Sequence, residues 1–175
     1  MKYLGTFTII CILGLFYSSC VKKANYPDVP VISYNNFFAY GSGSITDSAL
    51  LLINFTDGNG NIGYSQQLGA PIDLYIVPLI YVYATNTFQP IIESGDTALT
   101  FPYSIPNITP SGSDKELNGI IQVNFENFIQ EQISSLTGFS SVADIHRLQF
   151  KVWMYDNAGN KSNVLITPTC HTYPE

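Results

Sequence analysis

The chain has 175 residues and a formal charge of −6. An acidic chain with few lysines excludes the basic patch that nucleic-acid phosphates require. Only 11% of residues are charged while 14% are aromatic, a balance that favours sheets over helices.

The first element is a positive start at Met1 and Lys2, an apolar run over Leu4–Phe16, and then Tyr17, Ser18, Ser19 and Cys20. That order describes a secretory signal over residues 1–19, because the run is shorter than the ~20 apolar residues a membrane span needs. Residues 20–29 carry Lys22, Lys23, Asn25, Pro27 and Asp28 without apolar periodicity and read as a tether. Residues 30–175 are one domain's worth of chain. Cys11 leaves with the signal and Cys170 is then the one thiol in the domain, so its fold is expected to have no internal disulfide. Cys170 beside His171 reads as a packed thiol, because neighbours on an extended chain point to opposite faces.

Pro30–Tyr34 and Phe37–Tyr40 read as two short strands, followed by a turn at Gly41–Ser44. Asp47–Thr56 is a strand with Leu51, Ile53 and Phe55 on its core face. It runs into the polar loop Asp57-Gly58-Asn59-Gly60-Asn61-Ile62-Gly63. Leu74–Ala84 is apolar but holds Pro78, which suggests an edge strand, a bulge or two strands. Ala98–Pro106 alternates with Leu99, Phe101, Tyr103 and Ile105 inward, and Leu117–Phe125 with Ile121, Val123 and Phe125 inward. Glu126–Leu136 places Ile129, Ile133 and Leu136 at helical spacing and predicts one short helix. Ile145–Tyr155 alternates again, with Leu148, Phe150, Val152 and Met154 on the core face. A turn at Asp156–Asn160 and a last strand over Asn163–Thr167 close the chain.

Seven or more short alternating strands predict an all-β, antiparallel sandwich of seven to nine strands with that one helix. Two motifs sharpen the class. Residues 151–162, with Asp156, Ala158, Gly159, Asn160 and Ser162 after Val152 and Met154, resemble the closing hairpin of bacterial immunoglobulin-like and fibronectin-type domains. The resemblance implies that Asp156 and Asn160 bond the turn backbone and that Gly159 takes a positive φ. The loop at residues 57–63 is similar to an Asp-Gly-Asp-Gly-Asp-Ile-Gly loop of small Gram-negative lipoproteins, with Asn here at two of the Asp positions. Cys20 after two small residues resembles the lipobox of bacterial lipoproteins, with Tyr17 standing where that motif has Leu. It implies a lipid on Cys20, an anchor in the cell envelope and, because the tether is basic, an outer-membrane position facing the periplasm.

Asp57, Asn59 and Asn61 sit at i, i+2, i+4, the opening of a calcium loop, but Ile62 and Leu68 stand where that loop needs Gly and Glu. If the turn at Asp156 joins them, Asp57, Asn59, Asn61 and Asp156 form a weak Ca²⁺ site; otherwise both are self-bonded turns. Trp153 and Tyr155 fall on the polar face of their strand, either as a platform for a ligand or partner or as rings covered by another element. No G-x-S-x-G, H-E-x-x-H or phosphate loop is present. The expected protein is therefore a lipid-anchored envelope domain that binds a protein or glycan and has no catalysis and no cofactor. An accessory subunit of an outer-membrane assembly is the alternative, and a hydrolase the third reading.

Overall fold

The structure, a computed structural model, describes residues 25–42, 45–64, 71–92, 96–111, 115–126 and 143–172. These residues are all-β. The strands are β1 (Val31–Ser42), β2 (Ile45–Asp57), β3 (Leu74–Val82), β4 (Thr87–Pro90), β5 (Phe101–Tyr103), β6 (Leu117–Glu126), β7 (Ala143–Met154), β8 (Leu165–Ile166) and β9 (Cys170–His171). They form two antiparallel sheets, one ordered β1-β2-β6 and the other β4-β3-β7-β8, with β5 also beside β3 and β9 also beside β7. Residues 127–136 of the expected helix, the signal segment and Cys20 lie outside the described residues, while Glu126, the helix's expected first residue, ends β6.

The sheets face each other because each presents one apolar set inward. Ile32, Leu51, Ile53, Phe55, Val123 and Phe125 of the three-stranded sheet meet Leu74, Ile76, Ile80, Leu148, Phe150, Val152 and Met154 of the other, and all are buried. At the centre, the Phe150 ring lies 5.4 Å from that of Phe125, nearly parallel, and 5.6 Å from that of Phe37.

Two features differ from the expectations. The two short strands expected over residues 30–40 are one strand, β1. Its register steps from Tyr34↔Ile53 to Asn36↔Leu52, so Asn35 is an extra residue. Such a bulge reverses the inward parity, and a simple alternation therefore breaks there although the strand continues. The second is Pro78, which sits inside β3, between two neighbouring strands. β3 pairs with β5 over Leu74–Ile76 and with β4 over Leu79–Val82, leaving Pro78 opposite the gap between them. On the other side Pro78 faces Phe150, whose N–H and C=O bond Thr167 instead. No ladder bond is lost where proline cannot donate.

The start of β1 is tied down beyond its own ladder, within the strand and just before it. The Asn163 side chain accepts from Ile32 N at 2.8 Å and donates to Ile32 O at 2.9 Å, joining β1 to the segment leading into β8. Within the expected tether, Pro27 O accepts from Gly58 N at 2.7 Å and Asp28 O from Asn59 Nδ2 at 3.4 Å. Tyr26 Oη accepts from Asn118 Nδ2 at 3.3 Å. The chain therefore enters the domain at the end where β2 finishes.

Candidate functional site

Along β3 and β7 the inward residues alternate with an outward set that carries rings and cations. Tyr75 and Trp153 are opposite each other across the ladder, and their rings stack at 5.3 Å with 2° between planes. Tyr155 meets the edge of Tyr75 at 5.9 Å. Lys161 Nζ lies 4.9 Å from the Trp153 ring centre and 6.0 Å from that of Tyr155, and Lys151 Nζ lies 6.0 Å from Trp153. Further along the face the Arg147 guanidinium stacks 3.7 Å over Tyr81. The lysines reach these positions for simple reasons. Lys151 is two residues from Trp153 on one strand, and Lys161 returns beside Tyr155 through the Tyr155↔Lys161 bridge that closes the turn.

The expected platform residues Trp153 and Tyr155 are thus both on one outer face and half-buried by each other, Tyr75 and the lysines, with no described strand laid over them. Beside Trp153 runs a shallow cleft of about 340 Å³, lined by Val77, Leu79, Pro90 and Ala98 with Thr97, Thr100 and Lys151 as its polar groups. A second hollow, of about 400 Å³, lies near the β6 edge between Ile108, Ile120, Tyr103 and Phe55 and is mostly apolar.

The loop at residues 57–63 and the turn at 156–160 meet at one end of the molecule. Asn157 N donates to Asn61 O at 2.9 Å, and Asn157 Nδ2 donates to Gly63 O at 2.9 Å. Asp156 spends its carboxylate on its own turn: Oδ1 accepts from Ala158 N and Asn160 N, Oδ2 accepts from Asn160 Nδ2, and Gly159 has φ +83°. Asn59 turns the other way, toward Asp28 O and Asn61 N. Asp57 is fully buried; its Oδ1 accepts from Gly60 N, while Oδ2 and the nearby Asn61 Oδ1 have no partner. Of the four expected ligands, Asp57 and Asn61 thus keep an oxygen to spare, whereas the Asp156 carboxylate is engaged and Asn59 points elsewhere. Among the described residues no three His, Cys, Asp or Glu side chains are grouped to hold a metal.

Asp73 is a buried carboxylate that the sequence reading missed. Its Oδ1 accepts from Ile105 N at 2.7 Å and its Oδ2 has no partner. Its signal was an acidic residue placed directly before an apolar strand. Burial pushes both Asp57 and Asp73 above the usual carboxylate range, aided at Asp57 by the neighbouring Asp156 charge and opposed by backbone N–H groups at both. A carboxyl whose folded pKa is raised favours the fold in its neutral form. Its stabilising share is whole below the unfolded value, about 3.9, and is lost as pH rises through the folded value. Urea midpoints should therefore fall as pH is raised from about 4, and Asp73→Asn should flatten that slope; a wild-type midpoint that climbs over the same range would contradict it.

Cys170 is buried, and burial drives its thiol up to about 11. Its Sγ lies 3.5 Å from Pro168 O, while His171 is exposed on the other side of β9, so the pair does not form a nucleophile and base. No family model matches the chain, and neither a curated protein nor a solved structure matches it.

Proposed function

We propose that this chain is a lipid-anchored, immunoglobulin-like domain of the bacterial cell envelope that binds a protein or glycan partner on the outer face of its six-stranded sheet. The strand order supports the class: with β1, β2 and β6 as strands A, B and E, and β4, β3, β7 and β8 as C′, C, F and G, the sheets read A-B-E against C′-C-F-G. The observation that carries the binding role is the outer ring-and-cation face at Trp153, half-buried rings beside exposed lysines, next to a cleft with only a few polar groups. The anchor is the lipid on Cys20, supported by the lipobox-like start. The apolar hollow at Ile108 and Ile120 favours a second reading, an accessory subunit that seats a larger outer-membrane partner there.

The test uses full-length protein made in a Gram-negative host. Intact mass should show acyl chains on Cys20 and loss of residues 1–19. The Cys20→Ala form, released by detergent-free lysis, should co-sediment with isolated envelopes, and adding Trp153→Ala should abolish that retention. A mature mass without lipid removes the anchor, and retention that ignores Trp153 removes the face.

A further inference from the structure

Charge is distributed unevenly over the molecule. Beyond residue 24 the chain carries four cations, Lys115, Arg147, Lys151 and Lys161, against an excess of acidic residues. Three of those four lie on the outer face of the six-stranded sheet, each over an aromatic ring. Lys151 and Lys161 are exposed, and among the described residues neither is paired with a carboxylate. In a molecule that is acidic elsewhere, two unpaired ammonium groups flanking one indole form a local positive site.

We infer that this face binds a polyuronate, a polysaccharide carrying one carboxylate per sugar, with sugar rings laid on Trp153 and Tyr155 and carboxylates met by Lys151 and Lys161. This rests on the binding role proposed above and names its ligand class. The apolar C–H face of a sugar ring suits the phenol of Tyr155 and the face of the Trp153 indole that is not stacked on Tyr75, where Lys161 shifts off the ring to meet a carboxylate. Sugar hydroxyls suit the Thr97 and Thr100 hydroxyls in the adjoining cleft; Thr100 Oγ1 already donates to Ala98 O and keeps its acceptor capacity. A neutral glycan would gain nothing from the two exposed ammonium groups, whereas a carboxylated one would gain charge-assisted bonds. Phosphate is better matched by a planar arginine fork, and here the one arginine is already stacked on Tyr81. Lysines act as single point charges and fit single carboxylates spaced along a chain.

Binding of the full-length protein in detergent to three polymers decides the matter: polygalacturonate, neutral dextran and poly-L-glutamate. Polygalacturonate should bind and dextran should not. Trp153→Ala should weaken polygalacturonate binding by about tenfold or more, and Trp153→Phe, which keeps a ring, should restore most of it. The double change Lys151→Gln, Lys161→Gln should remove most of the salt dependence. Equal binding to poly-L-glutamate, or no effect of Trp153→Ala in a variant with an unchanged melting temperature, overturns the inference. If polygalacturonate fails to bind while Trp153→Ala still abolishes envelope retention, the ligand class falls and the binding role stands; if both are unaffected, both fall.

Discussion

Phe150→Ala should lower the unfolding free energy by about 3–5 kcal/mol, whereas Lys151→Ala should change it by no more than about 0.5 kcal/mol. The two side chains are neighbours on β7 and point to opposite faces. Phe150 has 0% of its surface exposed and its ring is held between those of Phe37 and Phe125, one from each edge strand of the opposing sheet. Removing it opens a cavity at the point where the two sheets depend on each other, and the surrounding aromatic groups cannot collapse into it without breaking their own contacts. Lys151 is exposed; its backbone pairs with Val77 and Ile166, and its ammonium reaches only the Trp153 ring on the outer face. Urea melts of the two variants give the answer, and similar losses would mean that the register of β7 is off by one residue.

Gly63→Ala should cost more than about 3 kcal/mol, which places it in the rare class of severe single changes. Gly63 has φ +80°, and a Cβ built there lies 2.1 Å from Pro106 O and 2.6 Å from Pro106 C. That backbone cannot retreat, because Tyr64 N donates to Ile105 O and Asn107 N donates to Tyr64 O, both at 3.0 Å, on either side of it. Gly159→Ala is the matched comparison. Its φ of +83° imposes the same left-handed strain, but nothing lies within 4 Å of its Cβ, so it should cost only about 1–2 kcal/mol. The difference between the two variants isolates the close approach. Equal costs would mean that the crossing of residues 63–64 over 105–107 is looser than the structure has it.

Residues whose role is set by local pattern were the legible ones. Leu148, Phe150, Val152 and Met154 alternate without interruption, and all four are fully buried. The Asp156 turn bonds itself as the resemblance implied, because its hydrogen bonds span at most four residues. What the sequence concealed is what depends on partners far along the chain. Pro78 is harmless inside β3 because two different strands begin and end beside it, and β4, only four residues long and beyond the Leu74–Ala84 run, carries too short a pattern to be read. Trp153 and Tyr155 could be placed on an outer face from their own strand. Tyr75 and Lys161, which complete that face, come from β3 and from beyond the turn, and only the register of the sheet brings them there. The free Oδ2 of Asp73 was equally out of reach, since its burial depends on Ile105.

The ties at the start of β1 have a mechanical consequence. The chain enters beside Gly58, where β2 ends, and the described chain leaves through β9, which pairs with Arg147 and Leu148 near the opposite end of β7. A pull between these ends draws β1 along its own axis. The hydrogen bonds from Val31↔Thr56 to Ser42↔Ile45 are then loaded together in shear, and none can open ahead of the rest as it would in a zipper. Before that ladder can slide, the contacts of Tyr26, Pro27 and Asp28 and the double bond of Asn163 to Ile32 must give way. Tension applied at the N-terminus thus meets a short sacrificial latch and then the stiffest direction of the sheet.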